Sequence, residues 1–244
     1  MCVCVCVDNV IRVCVHGRSI QRFFFVVHKF RDGKAEEWWK GIAEVLSAED
    51  QPAKMREHQK SLGFYNHFFL PMGGDNSILC LWEAKEAVPI ETFQAYIDGP
   101  DGPAGDAMIN TVYPLVAGSS IPSPSAFSGE EVAPVKPTTG AMFWILHTFK
   151  SDEAQEKFWT YMSNHHDAEA YDASNRENGF DNPFFLASGP AGPFACIWES
   201  NRDISSDDML AFMDSEKGPV PGTMEHKVHK IDLSSAFAPS AYFA

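Results

Sequence analysis

A stretch of twenty-one residues occurs twice in this chain without a gap, and that repetition narrows its fold more than any other feature. Gly63-Phe64-Tyr65-Asn66-His67-Phe68-Phe69-Leu70 returns 116 positions later as Gly179-Phe180-Asp181-Asn182-Pro183-Phe184-Phe185-Leu186. At the same offset Cys80-Leu81-Trp82-Glu83 returns as Cys196-Ile197-Trp198-Glu199. Between residues 63 and 83, ten of twenty-one positions are identical; unrelated segments of ordinary composition would share about one. Asp98 with Asp214, and Gly102-Pro103 with Gly218-Pro219, stay in step. Upstream, Val27-His28-Lys29-Phe30 matches Leu146-His147-Thr148-Phe149 at an offset of 119, so the helical region between the landmarks differs by three residues. Self-similarity over this length predicts two copies of one supersecondary unit.

Each copy reads alike. Residues 23–30 and 142–149 are short aromatic and β-branched runs, predicted as first strands. Asp32 and Ser151 or Asp152 can cap the helices that follow, where Trp38 or Trp39 and Ile42 share a side, as do Phe158 and Met162. Second helices over 52–62 and 167–178 stop at Gly63 and Gly179. Strands are expected at 68–70, at 77–83 with its partner 194–199, at 110–116 and at 227–231. Short helices fall at 91–97 and 207–213, the latter behind a Ser205/Asp208 capping box. The order is β-α-β-β-α-β, twice: an α+β chain of two ferredoxin-like repeats. The expected division is an extension over 1–22, a first repeat over 23–116, a Pro/Ser-rich linker over 117–140, a second repeat over 141–234 and a tail over 235–244.

A four-stranded sheet with helices on one face needs cover on the other if that face is apolar too. Residues 23–30, 77–82 and 142–149 are apolar on both faces, so each copy is expected to cover the other, sheet to sheet. In topology and repeat pattern the chain resembles the dimeric α+β barrel superfamily in fused, single-chain form, over about 200 residues. That resemblance implies a ligand held between the sheet and helices of a copy. It also implies a choice among cofactor-free monooxygenases, lactone isomerases, polyketide cyclases and haem-binding enzymes.

Composition bounds the partners. The formal charge of −14 would repel nucleic acid and anionic membrane surfaces, and no basic stripe interrupts it. No apolar run approaches a membrane-spanning length. The expected partner is a small molecule, with a homo-oligomer of fused units left open. Cys2, Cys4, Cys6 and Cys14 crowd the start without zinc-knuckle spacing, while Cys80 and Cys196 occupy equivalent places. Reduced thiols in an intracellular, cytoplasmic chain are the expectation. Residues 1–22 carry Arg12, Arg18 and Arg22 against Asp8 and leave organelle targeting open.

The leading candidates for chemistry are His28 and His147, equivalent positions on the first strands. Strand parity puts His28 with Phe24, Val26 and Phe30, and His147 with Phe143, Ile145 and Phe149. A neutral imidazole in an apolar wall could serve as a general base for enol, phenol or lactone chemistry, or simply satisfy a neighbouring strand. Glu83 and Glu199, opposite Trp82 and Trp198 in parity, are the other catalytic candidates and could orient an imidazole, act as an acid/base group or cap the sheet. Asn66 and Asn182 could polarise a substrate carbonyl or form turns. His67, which faces no histidine in the second copy, and Trp39 and Trp159 on the first helices join the ligand-binding candidates. His165-His166 with Asp167 and Glu169 is the most metal-like cluster, yet adjacent helical histidines diverge by about 100°. No metal and no cofactor is expected. Cofactor-independent oxygenation or a proton-transfer isomerisation or cyclisation is the leading function. A non-catalytic ligand-binding or structural protein and a haem-binding protein are the alternatives.

Overall fold

The computed structural model describes residues 20–47, 50–72, 77–103, 105–130, 135–164, 168–218 and 221–244. The four early cysteines, Gly73-Gly74 and the His165-His166-Asp167 cluster lie outside the described residues.

The first repeat runs β1 (Ile20–Phe30), α1 (Ala35–Ser47), α2 (Gln51–Ser61), β2 (Phe64–Pro71), β3 (Ser77–Pro89), α3 (Ile90–Ile97) and β4 (Met108–Pro114). The second repeats it as β5 (Ala141–Phe149), α4 (Asp152–Asn164), α5 (Ala168–Glu177), β6 (Phe180–Ala187), β7 (Phe194–Ser200), α6 (Ser206–Met213) and β8 (Met224–Lys230). The sheets have strand orders β2-β3-β1-β4 and β6-β7-β5-β8, all antiparallel. This is the ferredoxin-like order in both copies. Among the described residues, no helix is long and apolar enough to cross a membrane.

Several elements differ in extent from the sequence expectation. β1 begins at Ile20 rather than residue 23, because β3 continues to Pro89 and pairs Ile20 with Pro89 and Gln21 with Val88. β2 is longer than residues 68–70: a bulge between Asn66 and Phe68 lets the strand start at Phe64 and still follow β3. A bulge between Asp181 and Phe184 does the same in β6. Gly63 and Gly179 end the second helices with φ of 83° and 84°, a left-handed backbone that glycine adopts without strain. The Ser205/Asp208 capping box is present, with both reciprocal bonds made.

Alternation along the strands divides the core. Phe24, Val26, Cys80 and Trp82 face the helices of the first copy, while Phe143, Ile145, Cys196 and Trp198 face those of the second. The other parity meets in a single cluster drawn from both copies: Phe25, Val27, Leu79 and Leu81 against Trp144, Leu186, Ala195 and Ile197. Phe68 meets Phe184 across it edge to face, centroids 4.7 Å apart. Each such side chain, fully withdrawn from water, contributes about 1.5–3 kcal/mol. The two repeats therefore pack sheet to sheet as an intramolecular α+β barrel.

Each half also closes the other's open edge. After β4 the chain runs beside β6, with Val116 N–H donating to the Ala187 carbonyl (3.0 Å) and Ser120 N–H to that of Phe185 (2.8 Å). After β8 the tail runs beside β2: Phe69 and Phe237 exchange both backbone bonds, at 3.0 and 2.8 Å, and Asp232 N–H donates to the Pro71 carbonyl. Edges that would otherwise invite foreign strands are thus paired within one molecule.

Candidate functional site

In the antiparallel ladders His28 stands opposite Asn110, and His147 opposite His226. Each pair faces the helices of its own copy. Asp98 and Asp214, the C-cap residues of α3 and α6, stand behind them. In the first copy the resulting chain has a defined polarity. Asp98 Oδ1 can only accept, so it takes the Asn110 amide N–H at 2.7 Å, while its Oδ2 takes Gln94 Nε2 at 2.7 Å. Asn110 Oδ1 is then turned to His28 Nδ1, 2.7 Å away, which must carry the proton and donate. His28 Nε2 is left as a bare lone pair, buried and with no partner.

The second copy replaces the amide by an imidazole. His147 Nδ1 lies 2.7 Å from His226 Nδ1, and His226 Nε2 lies 3.8 Å from Asp214 Oδ1. One Nδ1 must donate to the other. The Asp214 carboxylate favours a proton on His226 Nε2, so His147 Nδ1 donates and its Nε2 again carries the lone pair. That Nε2 too is buried without a partner. Burial holds His28 down to about 4, against the opposing pull of Asn110 and Asp98. Burial, reinforced by His226, holds His147 down to about 3. His226 is lowered by burial, with Asp214 pulling the other way. Both lone pairs are therefore available at neutral pH.

What lies in front of them differs. His147 lines a cavity of about 370 Å³ with Phe158, Tyr171, Asn182, Cys196 and Met224; Ser120, from the segment after β4, and Asp172 complete its polar wall. His28 meets only about 30 Å³, and a neighbouring space of about 60 Å³ lies by Asn66 and His67. Trp38 packs on Phe30 (5.4 Å) as Phe158 packs on Phe149 (5.5 Å), and the larger indole walls both small spaces of the first copy. Of the spaces in front of the two histidines, the one at His147 falls in the size range of small-ligand pockets and the one at His28 does not.

The other candidates are distributed unevenly. Asn66 and Asn182 occupy equivalent walls; Asn182 Nδ2 donates to the Ile197 carbonyl at 3.2 Å, and Asn66 Oδ1 has no partner. They stand beside Cys80 and Cys196, whose thiols burial pushes up to about 12, so neither supplies a thiolate. Trp39 packs among Phe30, Trp38 and Phe69. Trp159 packs against Phe158 and Phe194 and donates to the Pro190 carbonyl. Neither tryptophan lines a cavity described above.

Glu83 and Glu199, both fully buried, lie on the sheet face away from His28 and His147, because Glu83 pairs with Phe23 and Glu199 with Met142. They anchor chain segments. Glu83 accepts from Arg22 (2.6 Å), His67 (2.9 Å), the Ser125 hydroxyl and Ala126 N–H (2.9 Å). Burial alone would raise its pKa, but the bonds from His67, Ser125 and Ala126 together hold the carboxyl below its usual range. Glu199 accepts from Thr138 and from the N–H groups of Tyr242 (2.7 Å) and Phe243 (3.1 Å). His67 is thus part of the linker anchor as well as of the small cavity wall. The residues that sequence reasoning passed over are Asn110, His226, Tyr171 and Asp172. The offset of 116 that aligns Asp98 with Asp214 also aligns Asn110 with His226, and that was the available signal.

A porphyrin would need an axial imidazole and cations for its propionates. His147 Nε2 satisfies the first, but the described lining holds no lysine or arginine and does hold Asp172. The described lining thus supplies the axial ligand and not the cations. Among the described residues no group of three or more His, Cys, Asp or Glu could hold a metal ion.

Fold and site together define a fused α+β barrel with a buried, hydrogen-bonded histidine in each half, and with a ligand-sized cavity in front of the second. The chain belongs to the family described as Domain of unknown function (DUF8652), which matches it twice, over residues 23–121 and 142–238. No curated protein matches it. Among solved structures it is similar to an arginine variant of chlorite dismutase from Candidatus Nitrospira defluvii, at 11% identity and a TM-score of 0.45, covering 86% of this chain and 90% of that one. A tryptophan variant of that enzyme in complex with cyanide gives 12%, 0.46, 87% and 92% in the same order. A candidate monooxygenase from Fusobacterium nucleatum gives 11%, 0.42, 86% and 92%.

Proposed function

We propose that the second repeat binds a small, largely apolar ring compound bearing an acidic O–H, and that His147 removes that proton. The observation that carries this is the unpartnered Nε2 of His147, set in the wall of a cavity of about 370 Å³. His226 and Asp214 stand behind it as positioning residues: they hold the imidazole's other nitrogen as the donor and leave Nε2 as the acceptor.

Depression of His147 from 6.5 to about 3 corresponds to roughly 5 kcal/mol against protonation in the free protein. Proton transfer therefore requires the substrate anion to form beside the ring, in a site where water is displaced and ion attraction is strong. The apolar walls Phe158, Phe194 and Met224 favour an aromatic body. The phenolate or enolate so formed is electron-rich; it can be reprotonated at carbon, which is isomerisation, or can react with dioxygen as co-substrate. Glu83 and Glu199 have no part in this reading; Asn182 orients the ring.

The test uses naphthol in deuterium oxide, following ring C–H exchange by NMR, with dioxygen uptake measured in parallel. Exchange or uptake should be accelerated by the protein and fall at least about 100-fold in His147→Gln. Binding of naphthol with equal exchange in the wild type and His147→Gln would leave a carrier, and would overturn the catalytic reading.

A further inference from the structure

A second cavity, of about 340 Å³, lies on the opposite face of the sheets, at one mouth of the barrel. Strand alternation builds it. Val27 and Lys29 share the inward face of β1, and in the second sheet the ladder pairs Leu146 with Lys227 and Trp144 with His229. The floor is apolar, made of Val27, Met72, Leu146 and Trp144, and the rim carries Lys29 and Lys227.

Three observations set this mouth apart. In a chain of formal charge −14, the described lining holds two lysines and a histidine and no carboxylate. Neither lysine forms an ion pair with a described residue. Trp144, 1% exposed, has an indole N–H with no acceptor. Inward-pointing lysines at the end of an apolar inter-sheet core gain nothing from the core itself; their stems lie along apolar surface while the ammonium groups stay at the opening. Apolar floor and cationic rim are complementary to one kind of small molecule.

We infer that the barrel mouth binds an amphiphilic monocarboxylate, its carboxylate between Lys29 and Lys227 and its apolar body against Val27, Leu146, Met72 and Trp144. The site is separate from the His147 cavity, which faces the helices, and does not depend on the reading given for it.

Calorimetric titration of the full chain with decanoate at low ionic strength tests this, with decanol and decyltrimethylammonium as comparison ligands. Decanoate should bind at one site, more tightly than decanol, and decyltrimethylammonium should not compete. Lys29→Gln and Lys227→Gln should each weaken decanoate about fivefold, and added salt should weaken it further. Met162→Trp, which crowds the other cavity from an exposed position, should leave decanoate binding unchanged. Absence of decanoate binding, equal affinity for decanol, indifference to both lysine substitutions, or loss of binding in Met162→Trp would each overturn the assignment.

Discussion

Replacing Glu83 with alanine removes the acceptor shared by four donors from three parts of the chain. Two of them recover in water: the Arg22 guanidinium is 43% exposed, and the Ser125 hydroxyl can turn outward. The other two cannot. The His67 side chain is 8% exposed and Ala126, whose N–H donates to the carboxylate, is 9% exposed. A buried donor left without an acceptor costs about 1–3 kcal/mol, so Glu83→Ala should lose about 4 kcal/mol, within the range for breaking one side of a buried ion pair. Glu83→Gln keeps the volume and one acceptor and should lose about half as much. Guanidinium unfolding followed by circular dichroism measures both. Because the Glu83 carboxyl lies below its usual range, its contribution is present above the unfolded pKa of about 4.3 and is lost as pH falls through the folded value. The wild-type advantage over Glu83→Ala should therefore shrink in acid. A loss under about 1 kcal/mol at neutral pH, or an advantage that grows on acidification, would refute the anchoring role.

His28 and His147 predict a second pH dependence. Both are buried neutral, with folded values of about 4 and about 3. The unfolded chain takes up their protons first, so stability is full above about 6.5 and falls with pH down to those values. Between pH 7 and 5 the pair should lose about 3–4 kcal/mol, and a His28→Gln/His147→Gln double variant should show a visibly flatter profile in urea titrations. Gly218→Ala would press a methyl group into the Met213 and Phe212 carbonyl oxygens where α6 ends, so a loss of about 2 kcal/mol is expected by thermal melting, and the same for Gly102→Ala against Ile97 and Tyr96. Trp38→Phe should open space beside His28 at a cost of about 2 kcal/mol, and a crystal structure of that variant should show one enlarged cavity in place of two small ones.

The repeat made the architecture legible. Aligned landmarks such as Cys80-Leu81-Trp82-Glu83 and Cys196-Ile197-Trp198-Glu199 fall on equivalent central strands, and the doubly apolar first strands required a second sheet. Strand parity also separated the faces: His28 with Phe24 and Val26, Glu83 with Leu81. The relay partners were hidden because they lie 82 and 79 residues from their histidines, brought there by the register of β4 on β1 and of β8 on β5. Strand-to-strand register of this kind depends on three-dimensional closure, and local spacing carries no trace of it. The unequal cavities depend on walls that come from distant parts of each copy, with Trp38 on Phe30 in one and Phe158 on Phe149 in the other. Volume matched against volume is a property of packing, invisible until both walls are known.

The crossed arms have a consequence for how the two halves can be separated. Cutting the chain between residues 121 and 135 would give two fragments, each carrying the strip that seals its neighbour's border and lacking its own. Such fragments should be poorly folded alone and should recombine when mixed. Joined in one polypeptide, the halves always meet as unlike partners at high effective concentration. One copy can then carry Asn110 where the other carries His226, and Arg56 where the other carries Asp172. Two different pockets, one nearly filled and one open, coexist there with no identical pair to preserve.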